Sequence, residues 1–164
     1  MASIALEYGA DEDEAIAALL HDAIEDQGGT ETENIIREKF GQKVADIVRG
    51  CTDAETIPKP PWRERKEQYL SHLSSADAST LLVSLSDKLY NARAILSDYY
   101  EIGDDLWQRF NGGKDGTLWY YRTLAEAYRD SNSVVNKLLY NEYVRVVSEL
   151  EECVKGNDNH AHTT

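Results

Sequence analysis

The sequence predicts an all-α protein, and three observations lead to that class. Apolar residues recur at intervals of three and four along most of the chain. Alternating runs of β-branched residues are scarce, and the three prolines all fall within residues 58–61. A chain of 164 residues is the usual size of one domain and can bury about two-thirds of its unfolded surface. We therefore expect one helical domain over residues 1–155 and a disordered polar tail over residues 156–164.

Glycines separate the first four predicted helices, because glycine favours the conformation that follows a helix C-terminus. These helices cover about residues 1–8, 11–27, 30–40 and 44–49. Asp11 or Asp13 can cap the second helix. Thr30 and Glu33 have the spacing of a capping box, which predicts the start of the third.

A loop over residues 52–62 leads to the second half of the chain and carries Lys59. Asp77 can cap a long helix that extends at least to Leu96. A glycine-rich loop is expected at residues 111–116, since three of its six residues are glycine. The other predicted helices cover about residues 63–73, 118–129 and 134–154.

The charge, the hydropathy and the cysteines of the chain disfavour several classes of protein. Lys and Arg number 17 against 30 Asp and Glu, so the net charge of −13 disfavours nucleic-acid binding. No apolar run approaches the roughly 20 residues of a membrane span, and the N-terminus lacks a basic start. Cys51 and Cys153 are far apart in the sequence, which is typical of free thiols in a reducing cytoplasm. We expect a cytoplasmic protein without a membrane partner. The last helix has an apolar stripe, through which the chain could form a homo-oligomer.

Four polar side chains follow an apolar run on the second predicted helix. His21 and Asp22 are adjacent, and Glu25 and Asp26 follow one turn later. At 100° per residue, all four lie on one side of a helix. Imidazole and carboxylate are ligands for a divalent transition metal, and nearby carboxylates can take a proton from water. The alternative is a histidine on a solvated acidic face. That alternative would be favoured if the His-Asp pair occurred alone.

A second segment strengthens the metal hypothesis. Asp87 and Asn91 share one face of a mainly apolar helix. Burying a carboxylate there requires a cation or a hydrogen-bond donor, and a metal held by His21 and Asp22 would provide one. The alternative is a salt bridge from Asp87 to Lys88 or Arg93.

Together these motifs resemble the HD-domain metal-dependent phosphohydrolases. The His-Asp pair, the Glu-Asp pair and the later segment SLSDKLYNAR are similar to the hydrolase domain of RelA/SpoT-type and Mesh-type guanosine polyphosphate hydrolases. Residues 48–52 and 65–66 also fit, and the resemblance covers about residues 1–130. It implies a helical HD-domain bundle that removes the 3′-diphosphate from guanosine tetra- or pentaphosphate.

The resemblance also implies roles for individual residues. His21, Asp22 and Asp87 would bind the metal, usually manganese in these enzymes. Glu25 and Asp26 would position and activate the attacking water. Asn91 would contact the ribose of the nucleotide substrate.

Phosphate contacts are harder to assign from the sequence. The candidates are Lys59, Arg65, Lys66, Arg109, Lys114 and Arg122. Lys59 and Lys66 are preferred because both lie between the two motifs. Each of the six could instead be an ordinary surface charge.

One departure from the family pattern is the absence of a histidine before His21, where the family has a further metal ligand. We expect that the N-terminal helices are incomplete, because a first helix without a start signal is a poor place for a chain to begin. A natural short form with a weakened site is the alternative. The rival functions are an HD phosphohydrolase of another nucleotide and a non-catalytic HD domain that binds a nucleotide or a partner.

Overall fold

Nine α-helices and one 3-10 helix make up the described part of the chain. The computed structural model describes residues 1–53 and 59–161, with side chains described as far as residue 157. The α-helices are α1 (Ala2–Glu7), α2 (Glu12–Leu20), α3 (Ala23–Gln27), α4 (Thr30–Phe40), α5 (Gln42–Cys51), α6 (Trp62–Leu73), α7 (Ala78–Ile102), α8 (Gly113–Arg129) and α9 (Lys137–Ala161). The 3-10 helix, Gly103–Arg109, connects α7 to α8. No strand occurs in these described ranges, which confirms the all-α prediction.

α7 is the central helix of the fold. It packs against α1, α2, α5, α9 and the 3-10 helix. Leu81, Leu85 and Leu89 are fully buried in an apolar cluster shared with α6, α8 and α9. Val83, also on α7, belongs to a second cluster with α2, α4 and α5. Different residues of α7 therefore belong to the two apolar clusters. Asp87, a predicted metal ligand, lies near the middle of this helix.

Side-chain caps define the starts of two helices. Asp11 rather than Asp13 caps α2, and it forms a reciprocal capping box with Glu14. Asp77 caps α7 by accepting a hydrogen bond from the backbone nitrogen of Thr80 at 2.7 Å, as predicted. The predicted capping box at Thr30 is wrong, because Thr30 is already inside α4 and the N-cap is Gly29.

The predicted glycine-rich loop is wrong over most of its length, because α8 begins at Gly113. The two glycines Gly112 and Gly116 allow the chain to pack closely against the indole of Trp62. A Cβ atom at Gly112 would lie 2.7 Å from Cη2 of that indole, and one at Gly116 would lie 3.2 Å from Cζ3. Gly112, in the turn before α8, and Gly116, within α8, therefore both serve the packing against α6.

The predicted disordered tail is also wrong in part, because α9 continues to Ala161. The end of α9 packs on α7: Val154 is buried, and Asn157 Nδ2 donates to Tyr99 Oη at 3.0 Å. The rest of the tail, residues 162–164, lies outside the described residues. None of the described helices has the length and apolar character to cross a membrane.

Candidate active site

His21 and Asp22 lie on a turn that divides the predicted second helix in two. α2 ends at Leu20 and α3 begins at Ala23, although both turn residues keep right-handed helical dihedral angles. The prediction of one unbroken helix is therefore wrong here. The break falls at the histidine whose Nε2 lies 3.4 Å from Oδ1 of Asp87 on α7.

Contacts at both ring nitrogens fix the imidazole of His21. Nδ1 lies 3.1 Å from the carbonyl oxygen of Ala18. Nε2 lies 2.9 Å from Oδ2 of Asp22 and 3.4 Å from Oδ1 of Asp87. Burial lowers the pKa of His21, but the two carboxylates outweigh burial and raise it to about 9. A histidine whose Nδ1 faces a carbonyl presents Nε2 in the orientation of a metal ligand.

Asp87, a buried residue of α7, also approaches Nε2 of His21. Its Oδ1 accepts a hydrogen bond from Asn91 Nδ2 at 3.0 Å, and its Oδ2 accepts one from Lys88 Nζ at 2.8 Å. Burial raises the pKa of Asp87, but Lys88 and His21 outweigh it and hold the pKa well below its usual range. The salt bridge to Lys88 that the sequence left as an alternative is present, and it coexists with the approach to His21.

The two acidic residues of α3 occupy different positions. Glu25 is half-buried at the cavity beside His21, and its Oε1 accepts a hydrogen bond from Lys59 Nζ at 2.6 Å. Asp26 is exposed and does not line that cavity. The structure therefore brings Glu25, but not Asp26, to the predicted metal ligands.

Basic side chains of α6 and α7, with Asp53, also line the cavity and are called the basic wall below. Asp53 accepts two cations on one oxygen: Oδ2 lies 2.5 Å from Lys66 Nζ and 3.0 Å from Arg65 Nη1. Burial lowers the pKa of Lys66, although the hydrogen bond to Asp53 opposes that shift. Lys88 completes this wall from α7. Among the residues described, Asp53 Oδ1 and Arg65 Nε are buried without a hydrogen-bond partner.

This cavity has a volume of about 330 Å³. Its lining residues are Met1, His21, Asp22, Glu25, Cys51, Asp53, Arg65, Lys66, Asp87, Lys88, Tyr90 and Asn91. A site lined by carboxylates, an imidazole and three cations suits an anionic ligand bound beside a metal ion.

The fit of these residues to a metal ion rests on their donor chemistry. In the described ranges, no group of three or more His, Cys, Asp or Glu side chains is arranged to hold a metal ion. One nitrogen and two carboxylate oxygens nevertheless converge, at His21, Asp22 and Asp87. Imidazole with carboxylate is a suitable donor set for a divalent transition metal, so the residues present fit such an ion.

The comparisons with known proteins agree with this arrangement. Residues 1–118 match the HD domain family, so the chain belongs to that family. The solved structure of lmo0812 from Listeria monocytogenes EGD-e is similar with a TM-score of 0.76 and 29% identity, covering 89% of this chain and 92% of that one.

Curated relatives are similar over part of their length. The guanosine-3′,5′-bis(diphosphate) 3′-pyrophosphohydrolase MESH1 of Danio rerio is 44% identical over 77 residues, or 47% of this chain and 40% of that protein. MESH1 of Xenopus tropicalis is 46% identical over the same shares. The Aquifex aeolicus enzyme with the same pyrophosphohydrolase name is 36% identical over 89 residues, or 54% of this chain and 12% of that enzyme. The similarity thus spans less than half the length of each of these relatives.

No sequence motif pointed to Asp53, and Lys88 was expected only as an alternative ion-pair partner of Asp87. Asp53 holds Arg65 and Lys66 together, and Lys88 bonds to Asp87. A lysine in a largely apolar segment was the available signal for Lys88. Two of the weaker candidates, Arg109 and Arg122, pair with surface carboxylates and do not line the cavity.

Proposed function

We propose that this chain is a metal-dependent phosphohydrolase that removes the 3′-diphosphate from guanosine 3′,5′-bis(diphosphate). The observation that carries the proposal is the convergence of His21, Asp22 and Asp87 in one cavity that three cations also line. The names of the curated relatives support the choice of substrate. Membership of the HD family supports dependence on a divalent metal.

His21, Asp22 and Asp87 would hold the metal ion, for which we propose manganese. Such an ion supplies Lewis acidity to a phosphoryl oxygen when it is bound. Asn91 holds Asp87 in place through its amide, and Ala18 does the same for His21 through its carbonyl oxygen. These contacts from α2 and α7 orient the donor atoms before any ion arrives.

Glu25 is the group we assign to activate water. In this step the water oxygen bonds to the phosphorus nearest the ribose, and Glu25 accepts the proton that water loses. The bond from that phosphorus to the 3′ oxygen breaks, and the 3′ oxygen takes up a proton. The products are guanosine 5′-diphosphate and inorganic diphosphate. Asp26, exposed one residue further on, remains our second candidate for orienting the water.

The basic wall offsets the charge of the substrate. Lys66 and Lys59 are the proposed phosphate contacts, and Lys59 already lies at the edge of the site through its ion pair with Glu25. A protein with a net charge of −13 needs such a local cationic surface to bind a polyphosphate. Asn91, with its amide at the cavity, is the proposed contact to the ribose.

The test is release of diphosphate from guanosine 3′,5′-bis(diphosphate) with added manganese. Glu25→Gln keeps the shape of the side chain and removes the base, so kcat should fall by about a hundredfold or more. Glu31→Gln, on the exposed start of α4, is the matched control and should retain wild-type kcat. Equal rates in the wild type and Glu25→Gln would refute the assigned base.

A panel of other purine nucleotides with 3′ or 5′ phosphates completes the experiment. The residues assigned above contact phosphate and ribose, and they do not read the base. Faster hydrolysis of another nucleotide would keep the reaction class and replace the substrate. Failure to hydrolyse any of them, with manganese bound, would favour a domain that only binds its ligand.

A further inference from the structure

A second cavity of about 190 Å³ adjoins the proposed active site. Lys66, Lys88 and Asn91 line both cavities. The other lining residues of the second cavity are Trp62, Phe110, Thr117, Tyr120 and Tyr121. A ligand that reaches past the two lysines therefore enters a space between α6, α7 and α8.

The hydroxyl of Tyr120 is an unpaired donor in this second cavity. The residue is only 5% exposed, and its Oη has no hydrogen-bond partner within the described part of the chain. Buried polar atoms nearly always have a partner, so an unpaired one at a cavity indicates a missing bound group. Burial raises the pKa of Tyr120 to about 12 against the effect of Lys88, so the hydroxyl keeps its proton at neutral pH.

The polar groups that line the second cavity suit an anion. All of them can donate: two ammonium groups, the amide of Asn91 and the hydroxyls of threonine and tyrosine. No carboxylate is among the described residues that line it. Lys66 Nζ lies 4.9 Å from the ring centroid of Tyr120, which places its charge over the ring that carries the unpaired hydroxyl.

The cations at this junction exceed the carboxylates that hold them. Arg65 and Lys66 share the single carboxylate of Asp53, and both bind to the same oxygen of that group. Lys88 has one carboxylate partner, Asp87, and its Nζ also lies 5.2 Å from the ring centroid of Tyr69. An additional anion would therefore be favourable here, where partial burial strengthens charge interactions.

We propose that Tyr120, Lys66 and Lys88 form a second phosphate subsite, which binds the distal phosphate of the diphosphate group. This inference rests on the proposed function, because it takes the proximal phosphate to lie beside His21, Asp22 and Asp87. The subsite distinguishes a 3′-diphosphate from a 3′-monophosphate, since only the diphosphate reaches Tyr120. It also holds inorganic diphosphate as the product.

The test is calorimetric titration of the full, metal-free chain with inorganic diphosphate and, separately, inorganic phosphate. Omitting the metal avoids its complex with diphosphate in solution. Tyr120→Phe removes only the hydroxyl, and it should weaken the binding of both anions about tenfold, because without the metal inorganic phosphate also binds beside the two lysines. Tyr140→Phe is the control, because this tyrosine lies on α9 and lines neither cavity. It should bind both anions as the wild type does.

Equal diphosphate affinity in Tyr120→Phe and the wild type would overturn the subsite. If Tyr120→Phe does not fold, Lys66→Gln should show the same loss, and unchanged affinity there would overturn it. Hydrolysis separates the two proposals. Diphosphate binding that depends on Tyr120, without turnover of guanosine 3′,5′-bis(diphosphate), would support the subsite and refute the proposed function. Turnover with wild-type kcat/KM in Tyr120→Phe would refute the subsite alone.

Discussion

Asp87 and Lys88 are neighbours on α7 whose side chains bond directly, with 2.8 Å between Oδ2 and Nζ. The carboxylate is 11% exposed and the lysine side chain 17% exposed, so each charge depends on the other. The same carboxylate lies 3.4 Å from His21 Nε2 through its other oxygen. Asp87 thus has two separable roles: it neutralises Lys88, and it contributes to the proposed metal site.

Asp87→Asn should lower both stability and metal affinity. The amide leaves Lys88 without its counterion, which costs about 3 kcal/mol of unfolding free energy. The double variant Asp87→Asn with Lys88→Met should regain most of that stability but still fail to bind manganese. Urea unfolding and manganese titration of the same samples would check this. Recovery of metal binding in the double variant would contradict the assignment of Asp87 as a ligand.

Gly112→Ala should destabilise the packing of α6 on α8. The new Cβ would lie 2.7 Å from Trp62 Cη2, so the indole must move, at a cost of about 1 to 3 kcal/mol. Gly156→Ala is the control, because nothing lies within 4 Å of its Cβ and α9 should gain about 0.5 to 1 kcal/mol there. Thermal unfolding with tryptophan fluorescence reports both. A neutral Gly112→Ala would mean that the indole has room to shift.

Local signals in the sequence were sufficient for most of the helices. Periodic apolar residues placed α5, α6 and α7, and Asp77 marked the start of α7. The failures were glycines and the capping box. Gly113 and Gly116 lie in a helix because Trp62 packs against that segment, and no local rule contains that contact. Glu33 satisfies Arg37 and Arg49 instead of a cap, which links α4 to α5.

The acidic half of the candidate site could be predicted, whereas the basic half could be predicted only in part, at Arg65 and Lys66. His21 and Asp87 belong to recognisable motifs, and the structure brings them together. Lys88 lies in the SLSDKLYNAR segment, but that motif does not assign it to the cavity, and Asp53 belongs to no motif. Asp53 follows α5 and binds Arg65 and Lys66 of α6, a contact between residues 12 and 13 positions apart that no local rule contains.

Glu142→Gln should reduce stability at neutral pH and less so in acid. Hydrogen bonds from Arg145 and Arg93 lower the pKa of Glu142 from 4.5 to about 2, despite some burial. A depressed folded-state pKa stabilises the protein above the unfolded value, and that contribution disappears as the pH falls from 4.5 toward about 2. The arginines are largely exposed, so solvent screening limits the effect to roughly 1 kcal/mol. Urea unfolding of the wild type and the variant from pH 7 to pH 3 would check this, with the exposed Glu152→Gln as the control. A difference in unfolding free energy that does not change with pH would contradict the prediction.

Ser84→Ala should destabilise the contact between α6, α7 and α8, which positions the basic wall. Ser84 Oγ lies 2.5 Å from Tyr69 Oη and 2.6 Å from Tyr128 Oη, and all three residues are buried. Removing the hydroxyl leaves two buried tyrosine hydroxyls without this partner, at a cost of roughly 2 to 4 kcal/mol. Ser86→Ala is the matched control two residues along α7, because Ser86 bonds only to the carbonyl of Leu82 and its loss should cost less than about 1 kcal/mol. Urea unfolding of both variants measures the difference. Equal destabilisation would show that the three-hydroxyl contact does not hold these helices together, and that their apolar packing alone sets the position of the basic wall.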